Sequence, residues 1–539
     1  MSSLKDPIHE GLQRGWKVLG GRHGALPAQI TCDVAIIGSG AGAGITAELL
    51  TKAGLDVVII EEGQLKSSSD FNQKESEAYP QLYQETAGRK TTDKGINILQ
   101  GRTVGGSTTV NWTSSFRTPH DTLQYWQDHF GLADYNVGAL APYFQQAETR
   151  LNISPWTAAP NENNDLLRRG ADKLGFPTHT IPRNVKGCWN LGSCGLGCPT
   201  NAKQSMLVTT IPASLDKGAT LLVETRAERF NFVGTHISSL ECIAVKPNAA
   251  PVDTAQAATK IIAKHYVLAG GAINSPAVLL RSQAPDPHGL LGTRTFLHPV
   301  TLSMAVMPNK VQAWQGAPQS VYSDHFLTTQ AIDGPMGYKL EVPPLHPVIF
   351  ATVTPGFGPQ QAEVYKAFPD THVLLALLRD GFHEQSRGGK VGLRSDGSPT
   401  LDYKLNDFVM EGARRSLLKM AEIQFAAGAK EVYPAHEMAE RYTSWAQAQA
   451  ALQSLPMKPL QTKISSAHVM GGCGMAGDEK RGVVRSDGVH WQIDNLSVHD
   501  GSLFPTSIGA NPQLSIYGTV NRLAQGLAKR LTQKDVALA

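Results

Sequence analysis

The sequence predicts an α/β protein in which a discontinuous nucleotide-binding domain is interleaved with a second domain. Three observations carry this expectation. A strand, glycine turn, helix, strand and acid follow one another between Cys32 and Glu61; a further strand enters a glycine turn at Tyr266–Pro276; and the chain closes on a helix-like segment at Tyr517–Leu531. Nucleotide-domain elements at both ends leave the middle, about 300–460, as a separate unit of apolar runs and Pro-rich loops without internal repeat.

The first element is Cys32-Asp-Val-Ala-Ile-Ile, an apolar and β-branched run of the kind buried in parallel sheets. It passes directly into Gly38-Ser-Gly40-Ala-Gly-Ala43-Gly, then into helix-like Ile45–Leu50 and a second apolar strand, Val57–Ile60, that ends at Glu61. Glu61 stands 23 residues beyond Gly38, close to the spacing of a dinucleotide fingerprint. Gly38 permits the turn, Gly40 lets backbone N–H groups approach a pyrophosphate, and Ala43 lets the helix pack on the strand. The helix N-terminus favours the anion, and Glu61 can accept from a ribose hydroxyl. The fingerprint alone does not choose between NAD and FAD.

Composition narrows the class. Lys and Arg number 49 against 46 Asp and Glu, so the charge balance gives no reason to expect nucleic acid as a partner. The 52 glycines cluster rather than repeat, which indicates tight turns and close backbone approaches. Six cysteines in 539 residues exclude a disulfide scaffold. Met1–Ala25 mixes charge with few apolar positions, so no signal peptide is read. Ser502–Asn521 and Pro343–Gln361 are broken by Pro and Gly and do not read as spans. The expected location is cytoplasmic, with peripheral attachment at an inner membrane or partner-assisted export as alternatives.

A second glycine-rich loop, Gly101-Arg102-Thr-Val-Gly105-Gly106-Ser-Thr-Thr-Val-Asn111, comes too early for another nucleotide domain. Together with the fingerprint, with Gly271–Ser282, and with the block Asn495–Asn511 that holds Asp500 and Gly501 and is followed by Pro512, it makes four ordered motifs in one chain. From about Cys32 onwards the chain resembles the glucose–methanol–choline (GMC) family of FAD-dependent oxidoreductases. The resemblance implies FAD and an α/β (α+β overall) fold: a Rossmann-like FAD domain (30–120, 200–300, 460–539) and a substrate domain on an antiparallel sheet (121–182, 301–459). It carries the cofactor contacts onto Gly38, Gly40, Ala43, Glu61, Gly101, Arg102, Gly105, Gly106, Asn111, Asp500, Gly501 and Pro512. Some members attach FAD through a histidine in the second loop; Val110 stands there, so non-covalent FAD is expected.

Alcohol oxidation needs a base for the hydroxyl proton and a hydride acceptor facing the carbinol carbon, and histidine is the default base. Among 17 histidines, His468 opens His-Val-Met-Gly-Gly472-Cys-Gly474-Met, which resembles the family segment that begins with the catalytic histidine. Gly472 and Gly474 replace the bulkier polar residues common there. The family pairs that histidine with a second His or Asn, which falls here on Asn511. Its amide can hold the substrate oxygen but does not titrate.

Cys188, Cys194 and Cys198 lie among glycines with spacing C-x5-C-x3-C. Three thiols cannot all pair as disulfides, zinc wants a fourth ligand, and thiolates are the usual iron–sulfur ligands. The loop (183–206) resembles both the [3Fe–4S] loop of bacterial FAD-dependent sugar dehydrogenases and the loop of plant long-chain fatty alcohol oxidases, so a [3Fe–4S] cluster is expected beside FAD, with another metal or inert structural thiols as the alternatives. Cys32, Cys242 and Cys473 read as buried thiols.

The blocks Asp500–Pro512 and Val110–Pro119 are closer to the long-chain alcohol branch, and Val348–Val353 and His372–Leu378 are candidates to line an alkyl tunnel. The expected activity is oxidation of a long-chain primary alcohol to the aldehyde. Electrons would pass through a cluster to a quinone, a cytochrome or a small partner subunit, or without a cluster to oxygen. A sugar or polyol dehydrogenase subunit, a flavin-dependent lyase and a non-catalytic flavin subunit are the competing readings.

Overall fold

The computed structural model describes residues 5–247, 252 and 258–538; Met1–Leu4, the start of the stretch read above for a signal peptide, lie outside them. Two sheets carry the chain. In the first, Lys17–Leu19, Thr220–Leu222, Val57–Ile60, Gln29–Ile37 and Ala258–Leu268 run side by side and parallel. The far edge of Ala258–Leu268 is shared: the antiparallel pair Thr225–Val233 and His236–Ala244 takes its first half, and Leu496–Val498 takes its second, in parallel. Val34, Ala35 and Ile36 are fully buried, as the unbroken apolar run required.

The glycine turn after Gln29–Ile37 opens the helix Ala41–Lys52. Gly38 adopts φ +106°, and a Cβ there would collide with the carbonyl of Ala269, so glycine is obligatory at the turn. The close helix–strand approach falls at Gly42 rather than at Ala43: a Cβ on Gly42 would sit 1.6 Å from the His499 carbonyl oxygen. The C-terminal helix Gln513–Thr532 packs on Ala41–Lys52 and on Val137–Arg150.

The second sheet runs Ile96–Ile98, Ile464–Ser466, Val300–Val306, Thr371–Leu378, Tyr338–Glu341, Val321–Ser323 and His179–Thr180, with Glu431–Pro434 added beside Val300–Val306. All but one of its pairings are antiparallel; Ile96–Ile98 and Ile464–Ser466 run parallel. The long helix Asp407–Ala426 covers it. Thr371–Leu378 is buried along its whole length, whereas Pro347–Val353 forms a helix.

The side chains set different boundaries from those read in the sequence. Leu123, Trp126, Tyr135, Leu140 and Phe144 belong to the first core, so 121–151 joins the nucleotide-binding layer. Trp126 donates to Thr506 Oγ1 at 2.6 Å and stacks on Phe504. Conversely, Ile96, Ile98 and Ile464 belong to the second core. Helix and strand periodicity is local, whereas the partner of each apolar face is decided far along the chain. No helix among the described residues is long and apolar enough to cross a membrane.

The Gly42 contact makes the first prediction. Gly42→Ala forces the helix away from the His499 carbonyl at a cost of about 3 kcal/mol, the upper end of ordinary overpacking. A lower melting temperature and loss of soluble, flavin-loaded protein are expected, measured by thermal unfolding and the visible spectrum.

Candidate functional site

A cavity of about 1210 Å³ lies between the two sheets. One end is walled by Gly38–Gly42, Glu61, Gly101, Arg102 and Gly106; the middle by Asn111, Asp500, Gly501, His468, Asn511 and Pro512; the far end by Val300, Leu302, Val373, Leu375 and Leu377 of the second sheet. Gly105 and Ala43 stand one layer behind that wall, Ala43 fully buried in its helix.

The nucleotide end is organised by Ser39, which the sequence reading passed over. Its hydroxyl donates to Glu61 at 2.5 Å and accepts from the Gly105 N–H at 3.0 Å. One side chain therefore ties the first glycine turn, the acid and the second glycine loop together. Glu61 also accepts from Gly63 N–H at 2.7 Å, and burial pushes its carboxyl up to about 7. Gly106 has φ +53°, and a Cβ there would come within 2.8 Å of Gly40 Cα, so the two loops meet backbone to backbone. Gly101 is pressed against Gly106 in the same way, while Arg102 donates to the carbonyl oxygens of Glu62 and Pro247.

In the middle, Asp500 accepts from Gly271 N–H, Ser275 Oγ and Ser502 N–H at 2.6–2.8 Å, which locks the start of the C-terminal block onto the helix Gly271–Arg281; burial raises its pKa. Asn111 Nδ2 donates to Gln513 Oε1 at 2.7 Å, joining the second loop to the C-terminal helix.

His468 and Asn511 meet: Nε2 of the ring lies 3.5 Å from Nδ2 of the amide. Three further groups stand behind them. His298 Nδ1 is 3.3 Å from His468 Nδ1, and Gly509 N–H donates to His298 Nε2. Glu341 accepts from Asn511 Nδ2 at 3.1 Å. Lys339 lies 3.8 Å from Glu341 and 3.0 Å from the centre of the Phe116 ring. Burial, and secondarily the Lys339 charge, lower the His468 pKa to about 4; burial also holds His298 well below the usual range. Both rings are therefore neutral at physiological pH. His298 was hidden among 17 histidines. The legible signal for Lys339 and Glu341 was two charges at i and i+2 in the short run Tyr338–Val342.

A family model described as GMC oxidoreductase matches 79–300 in its N-terminal part and 384–519 in its C-terminal part. The chain belongs to the GMC oxidoreductase family. It is 28% identical over 550 residues to the long-chain-alcohol oxidase FAO3 of Arabidopsis thaliana, covering 98% of this chain and 71% of that one. It is 26% identical to the 6'''-hydroxyparomomycin C oxidase of Streptomyces lividus, covering 94% of this chain and 93% of that one. Among solved structures, pyridoxine 4-oxidase from "Mesorbium loti" superposes with a TM-score of 0.67 at 17% identity, covering 94% of this chain and all of that one, a likeness of fold.

GMC members are FAD-dependent oxidoreductases that act on alcohol-type substrates, and this chain's residues fit FAD. The N-terminus of Ala41–Lys52 opens on the cavity through Gly40, which carries no side chain to block a pyrophosphate. Glu61 supplies the acid at the end of the second strand, and Val110 stands where a covalent histidine link would need an imidazole.

Beyond the cysteine spacing itself, the loop offers no support for the iron–sulfur expectation. Cys188 Sγ accepts from Asn190 N–H at 3.4 Å, Cys194 from Arg183 at 3.7 Å, and Cys198 pairs with Thr200 Oγ1 at 3.5 Å. Among the described residues no group of three or more His, Cys, Asp or Glu is disposed to hold a metal ion. A packed backbone orders the segment instead. Lys203, buried and with its pKa lowered to about 8 by that burial, donates to the carbonyls of Thr109, Asn111 and Cys194. Tyr83 donates to Gly195 O at 2.6 Å. The loop thus braces the second glycine loop, a role its cysteine spacing did not announce.

Ser39→Ala leaves the buried Glu61 oxygen and the Gly105 N–H without their shared partner. Lost hydrogen bonds of this kind cost roughly 1–2 kcal/mol, so FAD affinity is expected to fall about tenfold. Titration of deflavinated protein with FAD measures it.

Proposed function

We propose that the protein oxidises a long-chain primary alcohol to its aldehyde, with molecular oxygen as the electron acceptor. The observation that carries the reading is the continuity of the cavity. The polar pair His468–Asn511 opens onto an apolar far end lined by Val300, Leu302, Leu345, Ile349, Val353 and Leu375. A hydroxyl seated at the pair leaves its alkyl chain no strong polar partner along those walls, which favours an aliphatic tail over a sugar ring. The long-chain-alcohol oxidases of Arabidopsis thaliana, among the relatives, support the same substrate class. Those relatives are oxidases by name, which supports oxygen as the acceptor.

FAD, when bound, supplies the two-electron acceptor for the carbinol hydrogen. The chain's own part is positional and acid–base. Asn511 Nδ2 holds the substrate oxygen, and neutral His468 takes the hydroxyl proton on the side nearer Asn511. The buried surroundings that depress the His468 pKa keep it ready as a base.

Anaerobic addition of dodecanol is expected to bleach the flavin, glucose to leave it oxidised, and admitted air to restore the colour with hydrogen peroxide. His468→Ala should retain FAD and lose about 10²–10⁴-fold in kcat. Bleaching by glucose but not by dodecanol would replace the substrate class, and near-normal turnover in His468→Ala would remove the base.

The pH profile tests the electrostatics separately. The proton-accepting form of His468 is neutral, so kcat/KM is expected to fall only as the pH drops through about 4. Lys339→Met removes a nearby positive charge, which lets the His468 pKa rise and moves this acid limb to higher pH.

A further inference from the structure

We infer that Glu341 is a positioning residue for the alcohol reaction, acting through Asn511 by fixing which edge of its amide meets the reacting oxygen. This rests on the reading of the His468–Asn511 pair given above.

The strand Tyr338–Glu341 is buried throughout, and its alternation sends Lys339 and Glu341 to one face and Tyr338 and Leu340 to the other. Glu341 Oε2 accepts from Asn511 Nδ2 at 3.1 Å and from Gln319 Nε2 at 2.6 Å. Gln319 is itself oriented by Ser114, whose hydroxyl donates to its Oε1 at 2.7 Å. On the other side, Lys339 lies 3.8 Å from Oε1, with its ammonium between the rings of Phe116 and Tyr322. The carboxylate is therefore held from two sides, and neither hold comes from the catalytic pair.

Glu341 Oε2 is the acceptor in both of its hydrogen bonds, so the edge of Asn511 that faces it is the N–H₂ edge. The same nitrogen then lies 3.5 Å from His468 Nε2 and brings its second hydrogen to the place where the hydroxyl oxygen is held. The amide keeps this orientation although its Oδ1 is buried without a hydrogen-bond partner. Rotated by half a turn, Asn511 would set its carbonyl against Glu341 and present an acceptor to the lone pairs of the substrate oxygen. Glu341 does not itself line the cavity and makes no hydrogen bond to His468. Its effect reaches the reaction through the amide alone.

The alternative is that Glu341 only neutralises Lys339, and two substitutions separate the cases. Glu341→Gln keeps an acceptor for Asn511 and Gln319 but removes the charge; Glu341→Met removes both. Glu341→Met is expected to lower kcat about tenfold to hundredfold with KM little changed, the scale of a misplaced reacting group, while Glu341→Gln stays within about threefold of wild type. In an Asn511→Ala background, Glu341→Met should add less than about twofold, because the pathway through the amide is already gone. FAD content and melting temperature accompany each variant.

Turnover of Glu341→Met within about twofold of wild type would overturn the inference, as would a Glu341→Gln loss as deep as that of Glu341→Met. Should Glu341→Met fail to hold FAD, Glu341→Gln decides alone, since a loss beyond about tenfold contradicts positioning by an acceptor. A wild-type enzyme whose flavin no alcohol bleaches overturns the proposed function and this inference with it. Alcohol turnover unaffected by Glu341→Met overturns the inference alone.

Discussion

The approach of Gly42 to the carbonyl of His499 is the constraint on which the rest of the architecture depends. It presses the helix that opens the nucleotide end against residues more than 450 positions later in the chain. The strand Leu496–Val498 is thereby held against Tyr266–Leu268, and the segment leaving it starts at a fixed point. Asp500 then turns onto Gly271 and Ser275, and Asn511 arrives at the cavity with its backbone already positioned. A side chain at Gly42 would displace the helix, the strand and the Asn511 amide together.

The site is a meeting of loops from rigid elements rather than one contiguous motif. Ser39 links two glycine loops 66 residues apart, and Lys203 links the second of them to the cysteine loop through three carbonyl oxygens. Each fastener is a polar side chain in a buried place, where an unmade hydrogen bond is expensive and a made one is correspondingly selective. The glycines are the other half of this arrangement. Gly101 and Gly106 let backbones touch where side chains would hold them apart, so the loops form a continuous wall instead of separate flaps.

How much of this the sequence disclosed follows from the range of each signal. The strand–turn–helix of residues 32–60 was legible because apolar runs, glycines and the acid are all local, and Val57–Ile60 forms with the bounds read from the residues. His468 and Asn511 were marked by the motifs around them, and the fold sets them side by side. Lys339 and Glu341 sit in no motif: two charges on alternate positions of a short run do not say whether their face is buried, and the aromatic rings of Phe116 and Tyr322 packed on it decide that. The helices of residues 121–151 show periodicity but not which core they face. The cysteine spacing reports proximity along the chain; what the loop is fastened to was not legible there, and the structure gives each thiol its own hydrogen-bond partner.

The buried pair Lys339–Glu341 is best understood against its cost. Removing two ions from water is unfavourable, and apolar residues of similar volume would serve stability as well or better. Nothing in the packing of the second sheet demands charge there, since Leu302, Leu375 and Leu377 fill comparable positions on neighbouring strands. What the pair does supply is specific to the site. Lys339 is the named charge depressing the His468 pKa after burial itself, and Glu341 is the acceptor that turns the Asn511 amide. A positive charge alone would leave Asn511 free to rotate, and a carboxylate alone would draw a proton onto His468. Together they allow one neutral base and one oriented amide to coexist in a cavity otherwise suited to hydrocarbon, and a fold selected for stability alone would have no use for either.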